Sequence, residues 1–301
     1  MQYYSLNQYL REKYGRKVYK LALSASETCP NRDGTLGFGG CTFCSAGGSG
    51  DFAENDIDRA KARVRRKTSE DAYIAYYQSY TGTYGDLTRL RSIYEAAIAR
   101  PDILILSIAT RPDCLGPEVM CMLQDLNRVK PVWVELGLQT SNEATAANVR
   151  RGYPNCVYEE AVQKLNAVGV KVVTHIILGL PGESFEDMAA SVDFACRCGT
   201  WGLKLQLLHV LRGTDLAEEY EAGAFEALTQ EEYIDILCRL LPRIPPDIVI
   251  HRLTGDGPKR ILIAPLWSGN KRGVLNAMNR AFRARNIVQG GDLHGADKIS
   301  V

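Results

Sequence analysis

Val132-Trp-Val-Glu-Leu-Gly-Leu-Gln139 is followed by a helical stretch at 158–168, a stop at Gly169, and Lys171-Val-Val-Thr-His-Ile-Ile-Leu178. Two apolar, β-rich runs around one helical pattern predict a parallel βαβ unit. The same alternation continues outward. Strands are predicted at 18–25, 72–79 and 103–108, and helices at 56–69, 87–99 and 117–129, the last with Pro117 in its first turn. On the other side follow a helix at 186–198, a strand at 203–210 and a helix at 230–241. The break Pro242-Arg-Ile-Pro-Pro246 then precedes a last strand at 248–253. Strand and helix alternate about six times, so parallel units winding right-handed into a full or partial barrel are expected. An open doubly wound sheet is the competing architecture, and periodicity does not separate the two.

The 301 residues fit one large α/β domain or two small ones. A hydrophobic content of 46% supports a buried core, and a net charge of +1 leaves nucleic-acid binding to local patches. No apolar run reaches the roughly 18 residues of a membrane span. Residues 1–8 lack a basic stretch followed by an apolar one, so no signal peptide and a cytoplasmic location are expected. The nine cysteines are odd in number and unevenly spread, which in a reducing compartment points to a metal rather than to disulfides.

Three of them share a glycine-rich stretch, Cys29-Pro-Asn-Arg-Asp-Gly-Thr-Leu-Gly-Phe-Gly-Gly-Cys41-Thr-Phe-Cys44, directly after the first predicted strand. In a βα barrel the loops after strands line the reactive face. The two-residue gap between Cys41 and Cys44 lets both sulfurs face one centre. Glycines at 34, 37, 39 and 40 permit tight backbone beside it, with N–H groups free to point at sulfur. Three thiolates can hold a four-iron cluster and leave one iron open, whereas clusters that only carry electrons usually take four ligands. A structural zinc loop is the alternative. Zinc prefers four protein ligands there, and no fourth cysteine or histidine lies nearby, which favours the cluster.

VYKLALSASETCPNRDGTLGFGGCTFC, SIATRPDCL, VELGLQT, HIILGLPGE and HRLTGDGPKRILIAPLWS together resemble the radical S-adenosylmethionine (SAM) proteins. Within them the chain is similar to the Elongator catalytic-subunit-like group and its YhcC/YtqA-type proteins, over about residues 15–276. The cysteine spacing of eleven and then two departs from the common three and two, a departure this subgroup shares, and Phe43 is the aromatic expected before the third cysteine. The resemblance implies a partial (β/α)6 TIM-type barrel at 15–243 and a short C-terminal α/β extension at 244–301 packed on it. It also implies a [4Fe–4S] cluster on Cys29, Cys41 and Cys44. SAM bound to the open iron would be cleaved reductively to a 5′-deoxyadenosyl radical that takes a hydrogen atom from the substrate.

Several residues are expected around SAM. Thr81 and Tyr84 follow the second strand and suit the methionine amino group. Glu135 and Gln139 lie four apart in one strand and should share a face. A buried carboxylate there is costly unless paired or used. Gln139 resembles a SAM-contacting glutamine. Arg151 matches an arginine near the SAM carboxylate, where a guanidinium can pair bidentately. His175 falls where relatives bind the ribose, although a lone strand histidine also reads as a satisfied core residue. Gly179 and Gly182 would admit the adenine, with Glu183 ordering the turn. Ala109 stands where Elongator-like enzymes usually carry glutamate, so their substrate pose does not transfer directly.

Arg111, Asp113 and Cys114 should face the barrel mouth. Arg111 could hold an anionic substrate or pair within its loop. Cys114 could relay a radical, though free cysteines are usually inert and buried. Cys121, Cys156, Cys196, Cys198 and Cys238 read as packing residues on helices. Two basic groups, Arg59, Lys61, Arg63, Arg65, Arg66 and Lys67, and Lys271, Arg272, Arg280, Arg283 and Arg285, read as solvated faces or an RNA surface. The resemblance implies tRNA as substrate, with chemistry on the 5-substituent of the wobble uridine, and an electron donor such as flavodoxin or ferredoxin. No acetyltransferase domain is expected, because the chain ends too early. A small-molecule substrate and a non-catalytic, metal-bearing RNA-binding module are the alternatives.

Overall fold

Six strands run parallel in chain order: β1 (Tyr19–Leu23), β2 (Tyr73–Tyr77), β3 (Ile103–Thr110), β4 (Val132–Gln139), β5 (Lys171–Leu178) and β6 (Gly202–Leu207). The computed structural model describes residues 2–66, 70–255 and 257–293. Every strand neighbours the one before it in sequence, so no order reversal occurs, and reversal is what defines a doubly wound sheet. The sheet is instead the curled, partial barrel.

Among the described residues ten helices flank the strands: α1 (Leu6–Tyr14), α2 (Ile57–Arg65), α3 (Leu87–Ala99), α4 (Pro117–Val129), α5 (Glu143–Asn148), α6 (Asn155–Ala167), α7 (Phe185–Arg197), α8 (Asp215–Glu221), α9 (Gln230–Leu240) and α10 (Lys271–Ala284). Their starts follow local chemistry. Ser184 with Asp187 and Thr229 with Glu232 form reciprocal capping boxes at α7 and α9. Helix α2 starts on the Asp56 cap, and the last predicted residues of its helix, 67–69, lie outside the described residues.

Strand alternation builds two cores from one sheet. Val132, Val134, Leu136 and Leu138 of β4, with Leu203, Leu205 and Leu207 of β6, face the outer helices. Their neighbours Trp133, Glu135, Lys204 and Gln206 face the barrel interior. Helix α1, which the sequence reading did not anticipate, closes the lower end. Its Leu10 and Tyr9 pack on Ile74, Ile105 and Trp133, and Gly15 ends it at φ 68.

Two predicted strands behave differently from expectation. The predicted run at 203–210 divides: β6 stops at Leu207, and β7 (Val210–Leu211) leaves the sheet. Its apolar character persists because Val210 packs with Ala217 and Ala264 in a separate small core. The strand after the proline break, β8 (Val249–Arg252), pairs in parallel with β6 as the seventh strand of the main sheet. Strand β9 (Leu262–Ala264) then pairs antiparallel with β7. No helix among the described residues is long and apolar enough to cross a membrane.

Candidate active site

The C-terminal ends of the strands open into one cavity of about 570 Å³. Its walls bring together Cys29, Cys41, Cys44, Phe43, Thr81, Arg111, Glu135, Gln139, Arg151 and His175.

The cysteine loop is held by its own backbone and by neighbours. Arg32 N and Asp33 N donate to Cys29 O, and Cys44 N donates to Cys41 O at 3.0 Å. Thr42 N donates to Val149 O, and Leu216 N to Thr42 O, which ties the loop to α5 and α8. Phe43 packs with Val149, Ile177, Leu180 and Leu208. The Arg32 guanidinium donates to Cys44 O and Ser45 O at 2.7 and 2.6 Å. All three thiols are free, and burial, with Cys44 close by, pushes Cys41 up to about 12. A buried thiol that resists ionisation gives up its proton when a metal takes the sulfur.

The cavity floor is a buried ionic cluster centred on Glu135. Its carboxylate accepts from Lys20 Nζ at 2.8 Å, from Ser107 Oγ at 2.7 Å and from Lys204 Nζ. Burial pushes this carboxyl up, but Lys20 and Lys204 outweigh it and hold the group well below its usual range. His175 Nε2 lies 2.7 Å from Glu135 Oε2. Burial and Lys204 drive the imidazole down to about 4. A neutral ring facing a carboxylate must donate from Nε2, which leaves Nδ1 as an acceptor. Lys20 and Lys204 were not singled out from the sequence. Their signal was a lysine inside each of two apolar strands, the same cost argument that applies to Glu135.

Gln139 shares the cavity with Glu135 by a different route from plain alternation. The β4–β5 register shifts between Gly137 and Gln139, and Gln139 adopts φ 60. Its amide folds back over Gly137, into the space a Cβ there would fill. Tyr153 Oη donates to Gly137 O at 2.5 Å and fixes the bulge. A left-handed non-glycine residue persists only where its surroundings over-determine it.

The two arginines are bound internally. Arg151, 1% exposed, donates to Tyr153 O, Leu138 O, Thr140 O, Asn155 Oδ1 and Glu143 Oε2. It braces the loop after β4, so its fork is not offered whole to a ligand carboxylate. Arg111 pairs bidentately with Asp113 at 2.9 and 2.6 Å and donates to Arg151 O, the within-loop pairing of the two readings. Arg150 pairs with Asp215.

Five expected residues do not line the cavity, among them Asp113, which is the partner of Arg111. Tyr84 is tied to Thr35 Oγ1 at 2.7 Å. A Cβ built on Gly179 would stand 2.6 Å from the Leu228 side chain, so Leu228 packs against this glycine. Gly182 serves its turn at φ 81, while Glu183 ties that turn to Thr140. Cys114 lies 3.7 Å from Asp113 Oδ1, and burial pushes its thiol up to about 12. Of the cysteines expected to pack, Cys238 is buried, Cys196 and Cys198 are half-buried, and Cys121 and Cys156 are exposed on α4 and α6. On the first basic helix, Arg59 and Arg63 pair with Glu54, Lys61 with Asp102 and Arg65 with Asp71. Lys67 lies outside the described residues.

The family model described as Radical SAM superfamily matches residues 24–195, which hold the cysteine loop and β2–β5. The chain belongs to the radical SAM superfamily. The Radical SAM C-terminal domain model matches 200–284. The chain is 44% identical to YtqA of Bacillus subtilis over 295 residues, covering 96% of this chain and 92% of that one. It is 35% identical to YhcC of Escherichia coli over 282 residues, covering 92% and 91%. Elongator complex protein 3 of Schizosaccharomyces pombe is 31% identical over 201 residues, covering 60% of this chain and 35% of that one. The Elp3 structure from the archaeon Methanocaldococcus infernus superposes with a TM-score of 0.65 at 18% identity, covering 77% of this chain and 58% of that one. As a radical SAM family enzyme the chain implies a [4Fe–4S] cluster and SAM. The residues present fit that pair. Three free thiols line one cavity, and Thr81 lines it too, with a buried hydroxyl that has no hydrogen-bond partner.

Proposed function

We propose that Cys29, Cys41 and Cys44 hold the cluster, that SAM lies above the Glu135 floor, and that the substrate is a tRNA wobble uridine modified at its 5-substituent. The observation that carries the reading is the convergence of three free cysteines and the unpartnered Thr81 hydroxyl on one cavity at the strand ends. When bound, cluster and SAM supply reductive SAM cleavage and hydrogen-atom abstraction.

The chain's own residues do the rest. Thr81 offers its hydroxyl to the methionine end. Gln139, held in its strained turn, directs its amide into the cavity. His175, locked as the Nε2–H tautomer by Glu135, presents Nδ1 as an acceptor for a ribose hydroxyl. Phe43 and its apolar neighbours keep water from the cluster side, and α1 seals the barrel from below. The tRNA part draws on the similarity to Elongator complex protein 3 and on exposed cations at Arg66, Arg272, Arg280 and Arg283. A reduced flavodoxin or ferredoxin would supply the electron.

Nucleoside profiles of tRNA from a strain lacking the gene and from its parent test the substrate. A wobble-uridine derivative should accumulate or vanish in the deletion strain. An unchanged profile would remove tRNA and leave a small-molecule substrate.

A further inference from the structure

Asn31 follows the first cysteine by two residues, is 6% exposed, and has a carboxamide with both N–H groups assigned. One donates to Arg150 O at 2.7 Å, and the other points at Cys41 Sγ at 3.7 Å. The orientation is not ambiguous, because a backbone carbonyl only accepts, so the nitrogen end must face Arg150 O. The oxygen end sits against two glycines. A Cβ on Gly37 would stand 2.7 Å from Asn31 Oδ1, and one on Gly152 would stand 3.3 Å from it. Asn31 O also accepts from Gly40 N at 2.8 Å, so the residue is tied within the cysteine loop through its backbone. The side chain spans from that loop to the turn after α5, and space is cleared for it on both sides.

A neutral amide that is buried, oriented and aimed at the Cys41 sulfur can act on the charge of a cluster held there. A donated N–H stabilises the added negative charge of a reduced cluster, because charge spreads onto the sulfurs. We infer that Asn31 is a positioning residue that hydrogen-bonds the Cys41 sulfur and raises the reduction potential of the cluster, easing uptake of the electron from its donor. The inference rests on the reading of Cys29, Cys41 and Cys44 as cluster ligands.

The test is a redox titration of the anaerobically reconstituted full-length protein, followed by the electron paramagnetic resonance signal of the reduced cluster. Asn31→Ala removes the donor. Gly37→Ala keeps the amide but pushes it aside, since its new methyl group meets Oδ1. Both should move the midpoint to more negative potential, Asn31→Ala further. The double variant should move no further than Asn31→Ala alone, because both changes act through one bond. Loaded variants with the parent's midpoint would overturn the inference. So would loss of loading in every variant, which would make Asn31 a scaffold rather than a tuning group. If the parent itself takes up no cluster, the cluster reading fails instead.

Discussion

The lower and upper ends of the barrel come from the same alternating strands but carry opposite chemistry. Below, Trp133 and Trp201 lie 5.0 Å apart between ring centroids, and Tyr9 of α1 meets Trp201 edge-to-face at 4.9 Å. Above, the interior is ionic and the backbone is strained. Ser49, Tyr80 and Arg150 in loops and Gln139 at the end of β4 hold positive φ at that end, and the fifth such non-glycine residue among those described, Asn286, follows α10. The apolar end stabilises by burial and needs no directed bonds. The upper end keeps unfavourable conformations in place with oriented hydrogen bonds, such as Tyr153 on Gly137 O and Arg151 on Thr140 O. The fold thus separates support from chemistry along one axis.

Substitutions can break or sharpen that division. Trp133→Ala should cost about 3–5 kcal/mol of stability in denaturant unfolding, yet leave iron uptake per folded chain near the parent's. A matching loss of iron uptake would mean that the two ends are not separable. Glu135→Gln leaves the buried Lys204 and the half-buried Lys20 against a neutral amide and should cost about 3 kcal/mol, with weaker SAM binding by equilibrium dialysis. Gly137→Ala forces the Gln139 amide off its perch and should cost about 1–3 kcal/mol of stability. Its SAM affinity should fall by more than this stability loss alone explains.

The smallest effect is one of pH. His175 titrates near 6.5 when unfolded and at about 4 in the fold, because burial and Lys204 oppose its charge. Between those values the unfolded chain binds a proton that the folded chain refuses, so stability falls as pH is lowered through that window. His175→Gln should flatten this part of the profile of melting temperature against pH. An unchanged slope would mean that other groups set it.

Much of this division was legible in the sequence. Strands β4 and β5 and helices α3 and α4 begin and end as predicted, because each is a long periodic run bounded by proline, glycine or charge. The cysteine loop and the carboxylate of β4 were visible for their chemistry. Helix α1 was missed because only Leu10 of its nine residues is buried, too little apolar signal for a helical stripe. The return of β8 to the main sheet follows a proline break that reads as a boundary, and only long-range pairing reveals it. The commitment of Arg151 was equally hidden, since its acceptors are mostly backbone carbonyls whose positions no motif encodes.

The central claim is that the upper end holds a redox cluster on three cysteines and uses it on SAM. Anaerobic reconstitution with iron and sulfide, followed by reduction in the presence of SAM, tests it most directly. The account predicts about four iron atoms per chain, absorbance near 400 nm, and 5′-deoxyadenosine as product, with all three signals lost in Cys29→Ala, Cys41→Ala or Cys44→Ala. Zinc as the sole bound metal, with no SAM cleavage, would contradict it.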